Sequence, residues 1–254
     1  MLDCGMNSTT DFSPANFVRN AWQVRQLDYL IVSHPHLDHI RDISNVVTLE
    51  PRALRRRHIE IDKLVTGEYE EYENLIREYV SFEQRYDQPI TGTANPGTWE
   101  VKFHNFETQA DDENINNMGV ATFVNYGNFT LLHPGDLEQE GWAELLEDRE
   151  FITDLRNTNF LVASHHGRES GFSGSIFRYF TPKLTIVSDG RYQDTSATSR
   201  YSAIAQGWNV YDSGTTRYER RKVVTTRSDG RIHIRVEITD SSTTVHVDRK
   251  PVVK

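Results

Sequence analysis

A chain of 254 residues, 37% hydrophobic and 26% charged, has room for one large α/β domain or two small ones and folds without staples. Its 28 Lys and Arg against 37 Asp and Glu leave a net charge of −9, which argues against a tight duplex reader. It leaves room for an acidic nuclease whose bound metal supplies the local positive charge. The single cysteine, Cys4, excludes an internal disulfide and Cys-rich zinc folds, and fits a reducing compartment. No run approaches the roughly 18 apolar residues of a membrane span. The N-terminus lacks the basic and apolar regions of a signal peptide, so a cytoplasmic protein without a membrane partner is expected.

Leu2-Asp3-Cys4-Gly5 reads as a strand end running into a glycine turn, as if the domain's first strands were missing. Residues 12–27 carry Val18, Trp22 and Val24 at helical spacing. Tyr29-Leu30-Ile31-Val32 is a short apolar run of the kind buried in parallel sheets. The basic block Arg52, Arg55, Arg56 and Arg57 reads as a solvated surface segment. Residues 67–86 predict an amphipathic helix with a core stripe of Tyr72, Leu75, Tyr79 and Phe82. Residues 91–99 form a turn cluster, and Val101 and Phe103 then alternate with polar neighbours. Residues 120–136 predict a hairpin through Tyr126-Gly127-Asn128, followed by a helix over 137–148. Apolar strands follow at 159–164 and 183–188, and 219–250 is a β-rich closing segment. No repeat or linker interrupts this order, so one α/β domain over 1–254 is expected.

The residues that carry chemistry sit at strand ends. Ser33-His34-Pro35-His36-Leu37-Asp38-His39 follows the first apolar run. His34 and His36 leave one side of an extended turn and can converge on one cation, while Asp38 and His39 can hold a second. Imidazole and carboxylate suit zinc, manganese or iron. Asp136 follows Leu131-Leu132 and a glycine turn, where it either bridges two cations or caps the next helix. His165 and His166 follow another apolar strand and precede Gly167. One of the two is read as a ligand and the other as a proton-transfer group, with spacing unable to assign them.

In order along the chain, LDCG (2–5), SHPHLDH (33–39), NNMGVATFVNYGNFTLLHPGD (116–136) and LVASHHGRESGFS (161–173) resemble the metallo-β-lactamase superfamily. HPHLDH fits its HxHxDH signature, and the ordered set is most similar to the metallo-β-lactamase domain of ComEC-type DNA-uptake proteins. The resemblance implies an αββα sandwich with metals at the rim between two sheets. It implies metal positions at His34, His36, Asp38, His39, Asp136 and one of His165 or His166, for one or two divalent ions such as Zn or Mn. Where the superfamily has a further His, this chain has Asn116-Asn117, and His104 is a poor substitute. Ile40-Arg41-Asp42 replaces a glycine pair, His133-Pro134 replaces a Thr, and a late His-Pro is absent, leaving Asp189 or a water to fill its place.

A metal lowers the pKa of its bound water from about 15.7 towards 7, so a hydrolase using metal-bound hydroxide is expected. The resemblance makes a phosphodiester, in DNA or RNA, the leading substrate class. The alternatives are another bond, such as a thioester, lactone or β-lactam, and a non-catalytic metal-stabilised interaction module. Asp38, Asp136 and His166 are the expected catalytic residues, with His133 as a further candidate proton donor. Arg168 is the candidate phosphate contact or an ordinary surface arginine. Arg217, Arg220, Arg221 and Lys222 either track a nucleic-acid backbone or line a solvated strand edge. The oligomeric state is open.

Overall fold

The computed structural model describes residues 1–6, 10–65, 72–86, 101–109, 114–189, 196–237 and 242–248. Helix α1 (Pro14–Ala21) begins with Pro in its first turn, and the Ser13 hydroxyl accepts from the Asn16 amide. It stops at Ala21, well short of the 12–27 span that its spacing predicts. The two-residue strand β1 (Leu30–Ile31) leads into α2 (Leu37–Ile40), α3 (Ile43–Val47), β2 (Leu54–Arg55), α4 (Ile61–Leu64) and α5 (Glu73–Glu83). Then come β3 (Val101–Glu107), β4 (Val120–Tyr126), β5 (Phe129–His133), α6 (Gln139–Leu145), α7 (Arg149–Arg156), β6 (Phe160–Val162) and β7 (Leu184–Val187). The chain continues through α8 (Thr198–Ile204), β8 (Trp208–Asp212), β9 (Arg217–Arg221), β10 (Val223–Thr225), α9 (Thr226–Asp229), β11 (Arg231–Glu237) and β12 (Ser242–Asp248). The predicted turn cluster at 91–99 and the start of the helix predicted over 67–86 lie outside the described residues.

Six strands form one sheet in the order β10-β7-β6-β5-β4-β3, parallel from β10 to β5 and antiparallel from β5 to β3. A four-stranded sheet runs β11-β12-β8-β9, and β1 pairs with β2 in parallel. Strand alternation sorts the side chains into layers. Ala121, Phe123, Leu132 and Leu161 face Trp142 of α6, Phe151 and Leu155 of α7 and Tyr201 of α8. On the other face Phe129, Phe160, Leu184, Ile186 and Val224 meet Val210, Val245 and Val247 of the four-stranded sheet. Val120 packs on Ile31, while Leu30 turns away towards Ala15, Ile43, Val46, Tyr79 and Phe82. The result is mixed α/β: helices, six-stranded sheet, second β layer, helices.

One expectation needs correction. The basic block is not solvated: Arg55 and Arg56 are buried. Arg55 pairs with Glu107 at 2.6 Å, Arg56 with Glu83 at 3.0 Å, and Arg57 donates to the Thr108 carbonyl at 2.8 Å. The partners lie 25 or more residues away, so a local charge run gives no sign of them. The closing segment carries β9, β10, β11 and β12, of which β10 pairs with β7 in the six-stranded sheet. Arg217, Arg220 and Arg221 do lie on an edge strand, β9, with Arg221 held by Asp229. Among the described residues no helix is long and apolar enough to cross a membrane.

Candidate metal centre

The loops after β1, β5 and β6 meet at one rim. His165 N donates to Gly135 O at 3.2 Å, tying the loop after β6 to that after β5, and Val120 N at the start of β4 donates to Ser33 O at 2.8 Å, tying the loop after β1 to the same sheet. Two glycines permit the close approach. A Cβ on Gly5 would lie 1.9 Å from the Asp38 carbonyl oxygen. Gly135 has φ 62°, and a Cβ there would lie 2.7 Å from that of Ser33. His165 and His166 both have left-handed backbones, with φ 48° and 53°, as does Asp3 with φ 54°. Such conformations cost non-glycine residues energy and concentrate at functional sites.

Asp38, His39, Asp136 and His166 each turn one ligand atom into a space where all four lie within 4.8 Å of one another. His39 Nε2 is 3.3 Å from Asp136 Oδ1 and 3.9 Å from Asp38 Oδ1. His166 Nε2 is 3.0 Å from Asp38 Oδ2 and 3.4 Å from Asp136 Oδ2. The far nitrogens are already committed. His39 Nδ1 pairs with Asp3 Oδ2 at 2.9 Å, and His166 Nδ1 donates to the Ser188 carbonyl at 2.6 Å. With Nδ1 as the donor, each ring in its neutral form presents the Nε2 lone pair, and a cation there would take the place of the second proton that the carboxylates otherwise favour. Both Nε2 atoms are buried and make no hydrogen bond of acceptable angle. Two such nitrogens beside two carboxylates form a donor set that a divalent cation satisfies, so the residues fit the metal that the motif implies.

His34 and His36 stand next to this group. His34 Nε2 is 3.1 Å from His36 Nδ1 and 3.9 Å from Asp136 Oδ2. The paired histidines divide: His166 joins the group of four, and His165 brings its Nε2 to 3.9 Å from Asp136 Oδ2. Asp136 is not a helix cap, since Glu138 occupies the cap position of α6. Arg168 is exposed at the rim, its Nη1 3.4 Å from His165 Nε2. His133 is largely buried, with Nε2 3.9 Å from Asp3 Oδ2. Asp189 pairs with Arg227 at 2.9 Å and does not join the cluster, and His104 pairs with Asp154.

The electrostatics express a surplus of carboxylate. Burial works against charge on His39, yet Asp136 and Asp3 outweigh it and hold its pKa well above the ordinary value. Burial also opposes charge on His166, but Asp136 and Asp38 push it up to about 10. Burial would raise the carboxylates; the facing imidazoles instead hold Asp38 and Asp136 low and bring Asp3 to about 2. Burial depresses His34 and His36, whose lone pairs are thereby kept available.

Two contributors escaped the sequence reading as site residues. Asp3 belongs to the LDCG segment, but nothing local shows that it reaches His39. Glu138 lies in the helix predicted over 137–148, and nothing local shows that its Oε1 comes within 2.8 Å of His165 Nδ1.

Residues 1–105 match the family model described as the metallo-beta-lactamase superfamily. The chain resembles the metallo-β-lactamase superfamily. The match includes the histidine cluster and ends before Asp136, His165 and His166. ComE operon protein 3 of Bacillus subtilis (strain 168) is 22% identical over 172 residues, 66% of this chain and 20% of that protein. The chain thus spans about a fifth of that relative's length. A candidate metal-dependent hydrolase from Parabacteroides distasonis ATCC 8503 aligns at 13% identity and TM-score 0.44, covering 88% of this chain and 83% of that one. A diphosphatase of the PhnP family aligns at 14% identity and TM-score 0.38, covering 73% and 65%.

Proposed function

We propose that the protein is a metal-dependent hydrolase that cleaves phosphodiesters, with DNA or RNA as the substrate class. The observation that carries this reading is the pair of buried, unbonded Nε2 atoms of His39 and His166 facing Asp38 and Asp136. When bound, a divalent cation such as Zn or Mn supplies Lewis acidity and activates water at neutral pH. Asp38, His39, Asp136 and His166 would hold it, with His34, His36 and His165 available for a second. Asp3 and the Ser188 carbonyl keep His39 and His166 in the tautomer that faces inward.

The substrate class rests on the ordered motifs and on Arg168. Its exposed guanidinium beside His165 can hold anionic oxygens in a fork, which a neutral ester would not need. Asp136, buried at the junction of the three loops, positions the groups on both sides of it.

The test is turnover of single- and double-stranded DNA and RNA, with Mn or Zn added, against Asp136→Asn as control. Metal-dependent cleavage lost in the variant supports the proposal. Hydrolysis of a lactone or thioester without any phosphodiester cleavage overturns the substrate class and keeps the metallohydrolase. No turnover of either kind by metal-loaded protein favours the non-catalytic module.

A further inference from the structure

We infer that Glu138 is a positioning residue that turns His165 into a metal ligand, completing a second cation position from His34, His36, His165 and Asp136. This rests on the metal-centre reading above. His34 Nε2 and His36 Nδ1 stand 3.1 Å apart, so they either share one proton or turn two lone pairs towards a common cation. Asp136 Oδ2 lies 3.9 Å from His34 Nε2 and an equal 3.9 Å from His165 Nε2. His165 therefore approaches the carboxylate oxygen that His34 also approaches. It supplies an imidazole where Asn116-Asn117 stands in place of the further histidine.

A carboxylate only accepts, so Glu138 Oε1, an ion-pair contact 2.8 Å from His165 Nδ1, favours the proton on Nδ1 and the lone pair on Nε2. The Ser170 hydroxyl lies 2.9 Å from the same Nδ1. The Arg168 Nη1, 3.4 Å from Nε2, is a donor, which agrees with Nε2 being the acceptor side of the ring.

Glu138 is itself held on both its carboxylate and its backbone. Asn114 Nδ2 donates to Oε2 at 2.8 Å, and the Glu138 amide donates to Asn117 Oδ1 at 2.9 Å. Asn117 is buried, and its Oδ1 also accepts from the Gly141 amide at 3.2 Å. Gly141 has no room for a side chain there, since a Cβ would lie 2.9 Å from that same oxygen. The asparagines that replace a histidine thus still serve the site, through Glu138.

The experiment is a Co²⁺ titration of the metal-free full chain, followed by visible absorbance and by bound-metal analysis, with the melting temperature of each metal-free variant measured alongside. Wild type should take up two equivalents. Glu138→Ala should weaken one of them by about 10- to 100-fold and leave the other within about twofold. His165→Ala should weaken that same equivalent, and His166→Ala the other one. Glu138→Gln should fall between wild type and Glu138→Ala, because its amide oxygen can still accept from Nδ1 while its amide nitrogen loses the Asn114 contact. If Glu138→Ala fails to fold, Asn114→Ala is read in its place and should weaken the same equivalent. Two wild-type affinities in the alanine variant, or a Gln variant as impaired as the Ala one, overturns the inference. Uptake of a single equivalent by wild type also overturns it while sparing the metal-centre reading. No uptake by wild type removes both.

Discussion

Three buried aspartates show how differently a folded chain can treat one chemical group. Asp42 and Asp229 are fully buried, and Asp136 nearly so at 4% exposure. Asp42 accepts from Ser13 Oγ and the Ala15 amide at 2.8 Å each and from Asn45 Nδ2 at 2.7 Å, pinning α1 to the start of α3. Asp229 takes both guanidinium nitrogens of Arg221 at 3.1 Å and the Thr225 amide at 2.8 Å. Asp136 instead faces the imidazoles of His34, His39, His165 and His166 at 3.3 to 3.9 Å. Amides, hydroxyls and guanidinium groups complete a carboxylate by themselves. Imidazoles whose other nitrogen already donates elsewhere leave it waiting for a positive charge. The first arrangement is architecture and the second is a receptor.

The sharpest way to break this contrast is Asp136→Asn. Asparagine keeps the volume and loses the charge, so bound metal should be lost and turnover should fall by orders of magnitude with little change in fold. Elemental analysis and circular dichroism check it together. Retained metal in this variant would reduce Asp136 to the level of the other two. The opposite outcome is expected for Asp229→Ala. Removing the partner of Arg221 should cost about 3 kcal/mol of stability, read by denaturant unfolding, with metal content unchanged.

Smaller effects sharpen the picture. Asp3→Ala leaves every ligand in place but removes the acceptor on His39 Nδ1. Metal affinity should drop by about 10- to 100-fold, measured by competition with a chromophoric chelator. Arg168→Ala removes no ligand, only the guanidinium that meets His165 Nε2 at the rim. Its loss of one charge-assisted hydrogen bond, roughly 1.5–3 kcal/mol, should appear in KM and in its salt dependence, with kcat nearly unchanged. An equal fall in kcat would place Arg168 in the chemical step.

The histidine cluster is legible in the sequence because its spacing lies within seven residues of one loop. So are the apolar runs behind β1, β6 and β7, each ending at or near the rim. Asp136 is ambiguous in the sequence because a cap and a ligand both stand between a strand and a helix. The structure separates them by placing the α6 cap two residues later. The Arg55–Arg57 block is misread and Glu138 is passed over for one reason. A charged residue declares its sign locally, but its partner comes from another layer: Glu83 and Glu107 for the arginines, His165 for Glu138. Assigning His165 and His166 separate surroundings requires their left-handed backbones, and sequence spacing carries no trace of those.

Those backbones have a consequence for how the protein can change. Asp3, His165 and His166 hold conformations that glycine adopts freely and other residues adopt at roughly 1–3 kcal/mol each. A mutation to glycine at any of them would relax the chain while deleting a working side chain. Selection for a sturdier fold and selection for chemistry therefore pull these three positions in opposite directions. At Asp3 the relief would be offset by orphaning the Ser33 amide and His39 Nδ1, so the strain there is held in place by the very bonds that it makes possible.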